Sequence, residues 1–197
     1  MFTVPANFIG NFKIGDNINY NLKILEKLYS CRADLKVHEQ KLLNKPIILL
    51  LVAITEAALY DFINVRAKLL TSEGITGVAA AVLADMRSKD LSDFSKFIAS
   101  FRKHDLFDKG EDKAIYDMLD RLRILRNRIH IQNTKGAVDE AERNESKVFT
   151  PGALTNAEEI LEFVFRFFAS KYPRPEKFSS FVSAFPCPWN SHHPTMA

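Results

Sequence analysis

A chain of 197 residues that is 47% hydrophobic and 26% charged has enough apolar side chains to bury a core as one domain, which excludes a disordered chain. A net charge of +3 is too slight for the whole-molecule field to point to nucleic acid, so any such argument must be local. Cys31 and Cys187 have no metal-ligand spacing and are expected as free thiols in a reducing, cytoplasmic setting. No secretory leader pattern opens the chain, and the strongest apolar run, Ile47 to Ile54, falls short of the ~18 residues a span needs, so no membrane role is expected.

Few alternating runs, only 7 glycines and long stretches of Leu, Ala, Ile, Lys and Glu predict an all-α bundle. Residues 1–16, with Pro5, Gly10 and Gly15, read as an irregular lead-in. A first helix is expected from about Asn17 to Arg32, where Ile18, Leu22, Leu25, Leu28 and Tyr29 recur at helical spacing. A second, long element begins near Val37. Pro46 suits a kink or a fresh first turn, and helix is expected from there to Leu70.

The first half of that helix is nearly all apolar, so Glu56 stands out. A buried carboxylate needs a donor, because an unpaired charge costs several kcal/mol. Arg123 or Arg126 would serve, with the carboxylate orienting a guanidinium for function; a structural ion pair and simple exposure at a helix edge are the alternatives. Glu73-Gly74 and Gly77 then interrupt the pattern. Short helices are expected over Val78 to Met86 and Leu91 to Arg102, the latter capped by Asp90 or Ser92.

A further helix is expected over Glu111 to Ile131, closed by the turn Asn133-Thr134-Lys135-Gly136, with a polar connection from Val138 to Pro151. The last helix should start at Thr155, in capping-box spacing with Glu158. Its apolar residues from Ile160 to Phe168 exceed one face, which calls for core packing or a subunit interface, while Glu158, Glu162 and Arg166 form an i, i+4 polar stripe. After Tyr172 the chain becomes proline-rich and aromatic, a wrapped or loose tail. The organisation is thus a lead-in (1–16), a helical domain (17–172) and a tail (173–197).

The run from Arg121 to His130 carries the chemistry. At 100° per residue, Arg123 lies about 20° from His130, Arg126 about 40° to one side and Asn127 about 60° to the other. They share a flank beside the apolar arc of Ile115, Met118, Leu119, Leu122, Leu125 and Ile129. Arg121 and Arg128 point about 160 to 180° away and are expected as solvated charges. The alternative is a basic helix end that merely complements the macrodipole, with His130 in its last turn, where imidazolium is favoured by ~0.3–1 kcal/mol.

Over Ile18 to Tyr172 the chain resembles the HEPN superfamily, all-helical domains whose ribonuclease members carry an Arg, four to six residues and a His. Arg123 and His130 meet that spacing, whereas Arg126-Asn127 has the family's Arg-Asn pair but stands closer to His130. The resemblance implies a HEPN-like bundle with an inserted helical region, residues 71–110, between the long second helix and the motif helix. It also implies cleavage of RNA by 2′-hydroxyl attack without cofactor or metal, and many relatives are toxins or defence effectors. His130 would be base or acid, Arg123 and Arg126 would hold the phosphate, and Asn127 would position ring or substrate. One histidine cannot easily fill both proton roles, so a homodimer bringing a second copy of the site is expected. A cognate antitoxin or nucleotidyltransferase is the partner class for such an effector. The other reading is a non-catalytic helical module whose basic shoulder binds RNA, a nucleotide or a partner protein.

Other chemistries lack their residues: there is no glycine-rich phosphate loop, His-Glu-x-x-His pair, GxSxG elbow or Cys-x-x-Cys pair. Cys187, His192 and His193 would give zinc three ligands without a fourth. His38 and His104 are expected to face solvent, and Tyr116 to line a groove or the core edge.

Overall fold

Asn11 starts the first helix, its side-chain oxygen accepting from the Ile14 N–H at 3.3 Å and so satisfying a donor that a helix N-terminus leaves open. Helix α1 (Phe12–Ala33) therefore begins earlier than apolar spacing suggests, with Ile18, Leu22 and Leu25 buried. The computed structural model describes residues 1–130, 144–176, 178 and 182–192. Among these residues the protein is all-α apart from one pair of short strands.

Helix α2 (Val37–Gln40), a 3-10 turn (Lys41–Leu43), α3 (Asn44–Tyr60) and a π-helical stretch (Asp61–Ala67) follow one another without a break. Pro46 lies in the first turn of α3, where its missing N–H leaves no ladder bond unmade. The run Val37–Ala67 is long and apolar enough to cross a membrane, but most of its apolar window is buried within the protein. α3 is the central helix, packed against α1 and, most extensively, α8 (Pro151–Lys171). The wider π turns place Asp61 and Arg66 inside. Asp61 accepts from the N–H groups of Gly10 at 2.7 Å and Asn11 at 3.0 Å, and Arg66 donates to the Tyr172 carbonyl.

The inserted region contains α4 (Ala80–Ser88) and α5 (Phe94–Lys103). Asp93 caps α5 by accepting from the Lys96 N–H at 3.1 Å, a position that Asp90 and Ser92 do not take. α5 packs on α6 (Ala114–Asn127), which also rests on α3 and α8. A helical turn, α7 (Glu145–Val148), interrupts the connection expected before α8; residues 131–143, including the expected closing turn, lie outside the described residues.

α8 starts not at Thr155 but at Thr150, whose hydroxyl accepts from the Ala153 N–H at 3.1 Å while Pro151 fills the first helical position. A cap joined to a proline is a stronger start than a capping-box spacing alone. Ile160, Leu161, Val164, Phe165 and Phe168 are all buried, so core packing accounts for the breadth of the apolar surface. Phe168 stacks on Phe62 with ring centroids 5.2 Å apart.

The chain ends complete the core. Strand β1 (Phe2–Pro5) pairs antiparallel with β2 (Ala184–Cys187), placing Phe2 opposite Cys187. Val4, Phe185, Cys187 and Trp189 are buried. The stripe on α8 is covered rather than solvated: Glu162 accepts from Arg166 Nε at 2.8 Å, the His192 N–H at 2.9 Å and the Ser191 hydroxyl. Glu158 accepts from the Tyr29 hydroxyl and faces His192 Nε2 at 2.8 Å. Cys31 is exposed, Cys187 buried, and both are free thiols.

Candidate functional site

The last turn of α6 tightens before the motif is complete. The Arg128 N–H donates to the Leu125 carbonyl at 3.0 Å and the Ile129 N–H to that of Arg126 at 3.1 Å, and the helix ends at Asn127. His130 therefore stands beyond the helix, exposed, and its wheel relation to Arg123 does not hold. The same tightening exchanges two neighbours. Ile129, placed by its spacing in the apolar arc, is 60% exposed, while Arg128, expected in solvent, is 4% exposed. Leu119 and Leu122 form the buried centre of the arc, and Arg121 is exposed as expected.

Arg126 meets Glu56 across the α3–α6 contact, Nη2 to Oε2 at 3.1 Å. Burial raises the proton affinity of the Glu56 carboxyl above the ordinary glutamate value, with Arg126 opposing the shift and Asp93 adding to it. Arg123 turns instead to Asp120, one helical turn back, Nε to Oδ1 at 3.0 Å. Asp120 is shared with Arg102 of α5 at 3.5 Å, and Arg102 also holds Asp117 at 2.7 Å. Asn127, the last helical residue, is partly buried.

The structure thus joins Glu56 to Arg126, assigns Arg123 to a neighbouring carboxylate, and leaves the His130 imidazole in solvent at the exit of the same helix. Partly exposed pairs of this kind contribute only ~0.2–1 kcal/mol to stability, so their consequence is mainly the direction each guanidinium takes. A guanidinium has donors to spare after one carboxylate contact, and an anion approaching the end of α6 would meet the remainder.

Two outlying expectations are corrected or completed. Tyr116 is fully buried, its hydroxyl donating to Asp105 at 3.1 Å and accepting from the Phe107 N–H at 3.2 Å, so it belongs to the core. His104 does not face solvent: its side chain is 12% exposed and bonds Asp85 at 2.7 Å, because α5 ends against α4. Of the trio Cys187, His192 and His193, His193 lies outside the described residues; among the described residues no group of three His, Cys, Asp or Glu side chains is disposed to hold a metal, and His192 is engaged by Glu158.

Sequence reasoning missed Asp120, Arg102 and Arg128. The i, i+3 spacing of Asp120 and Arg123 was a usable signal for the first. No local signal leads to Arg102, which arrives from another helix, or to the inward turn of Arg128. Comparison of the chain with family models, curated proteins and solved structures returned no match.

Proposed function

We propose that this protein is a metal-independent endoribonuclease of HEPN type that works as a cytoplasmic homodimer, a toxin or defence effector restrained by a cognate antitoxin or nucleotidyltransferase. The observation that carries this reading is the exposed His130 imidazole directly after a helix end whose Arg126 is held by Glu56 from the central helix. RNA cleavage by 2′-hydroxyl attack needs a proton acceptor, a proton donor for the leaving oxygen, and positive charge on the phosphoryl group. His130 is the proton-transfer group, Arg126 holds the phosphate, Arg123 extends the cationic flank, and Asn127 positions substrate. Glu56 orients Arg126. A two-fold copy supplies the second imidazole.

In a chelator-containing assay on mixed RNA, His130→Ala is expected to lower cleavage ~10²–10⁴-fold without shifting the thermal melt. Arg126→Ala should act in the same direction, and the products should carry cyclic 2′,3′-phosphate ends. Full cleavage by both variants would overturn the reading. One observation favours a second reading, a module that binds RNA without turnover: Arg123 and Arg126 each already face a carboxylate, which lowers the free positive charge at the flank. Salt-dependent RNA retention with intact RNA recovered would support it.

A further inference from the structure

On the far side of α6 from Glu56 lies a half-open cavity of about 610 Å³, bordered by α6, α7 and the start of α8. Its volume falls within the roughly 300–1,000 Å³ of small-molecule sites. Leu122 and Ile160 belong to its apolar floor, and Arg121, Arg128, Lys147 and Asn156 are its polar residues. Among the described residues no carboxylate lines it, although the chain has 24 acidic residues against 27 basic ones.

Arg128 is the decisive member. Its side chain is buried, its Nε has no hydrogen-bond partner, and among the described residues no acidic group pairs with it. Taking a guanidinium out of water is unfavourable by several kcal/mol unless a counter-charge or acceptors replace the water. Every other buried charged residue among those described has such a replacement: Arg66 has the Tyr172 carbonyl, Asp61 two N–H groups, Glu158 the Tyr29 hydroxyl and His192, and Glu162 the tail. Arg121 and Lys147, both exposed at the rim, add charge of the same sign.

The geometry points to a binding site for a phosphate monoester whose organic part rests on the apolar floor, a nucleoside monophosphate either free or as the phosphorylated end of an RNA. The phosphate oxygens take the Arg128, Arg121 and Lys147 donors, in the multidentate manner that guanidinium groups favour. The ring lies against the apolar floor, and Asn156 offers a donor and an acceptor to its edge. This site reaches the same end of α6 as His130 but opens on the face away from Glu56 and Arg126, and its occupancy does not depend on RNA cleavage.

The test is calorimetric titration of the full chain with AMP, with inorganic phosphate, and with one RNA oligonucleotide bearing either a 5′-phosphate or a 5′-hydroxyl. AMP should bind and raise the melting temperature. Arg128→Met, and separately the rim double variant Arg121→Met with Lys147→Met, should each weaken AMP at least ~10-fold, from the loss of charge-assisted bonds. The rim variant carries the test should Arg128→Met fail to fold. His130→Ala should bind AMP as the wild type does, which separates this site from the cleavage reading. Competition with AMP by the 5′-phosphorylated oligonucleotide alone identifies an RNA end as the source of the phosphate; no competition identifies the free nucleotide. Absence of AMP binding at millimolar concentration, equal affinity in the wild type and the rim variant, or phosphate binding as tightly as AMP would overturn the assignment.

Discussion

Asp61 shows how a single side chain can carry a joint between distant parts of the chain. Its carboxyl accepts two backbone N–H groups from the segment that leads into α1, on the rim of the π-helical stretch. Burial pushes its pKa up to about 7, against the opposing pull of the two N–H groups and Arg66. Asp61→Ala would leave the buried Gly10 donor and the half-buried Asn11 donor without their acceptor, at a cost of about 3 kcal/mol in urea unfolding. Asp61→Asn keeps one acceptor and should cost clearly less; equal losses would mean that the cavity, rather than the missing acceptor, sets the effect. Nothing in the sequence marks Asp61, because its partners are remote along the chain. Arg128 and Ile129 were equally hidden, since a helical wheel holds only while the helix does. Glu56 was legible as an anomaly in an apolar run, and its Arg126 partner was one of two named alternatives.

Elements were legible where periodicity is long and sustained. The apolar rows of α1, α3 and α8 lead to their existence and type, but the starts of α1, α5 and α8 were set by caps that periodicity does not see, Asn11, Asp93 and Thr150. The strands were missed because β1 and β2 are four residues each and stabilise only as a pair. Gly15, inside α1, measures how far tertiary packing overrides propensity. Alanine there should favour the isolated helix by ~1 kcal/mol. A Cβ at Gly15 would, however, stand 2.8 Å from Val182 Cγ2 in the returning tail. Overpacking costs ~1–3 kcal/mol, so Gly15→Ala should lower the melting temperature. Adding Val182→Ala should restore much of the loss, and a rise in the single variant would show that the tail yields freely.

At the scale of the whole molecule, the two buried carboxylates of α8 hold the tail that carries the single tryptophan, Trp189. Burial pulls the Glu162 pKa up, but bonds from Ser191, the His192 N–H and Arg166 together hold it below its ordinary value of 4.5. The ionised form therefore favours the docked tail. Its stabilisation is complete above about pH 4.5 and is lost as pH falls through the folded-state value. Trp189 emission should shift red on acidification, before the helical circular-dichroism signal is lost. Glu162→Gln should weaken this early phase, and emission that follows the helical signal in both proteins would refute the coupling. The all-α character was plain from composition, whereas closure of the core by both chain ends was not, since pairing so far apart leaves no short-range trace. That closure has a consequence during synthesis. Until the segment containing Phe185 leaves the ribosome, Phe8 and Phe165 lack a ring that packs on both, and β1 lacks its partner. A nascent chain must wait with a sticky seam open, so translation stalled before that segment emerges would yield a product prone to aggregate.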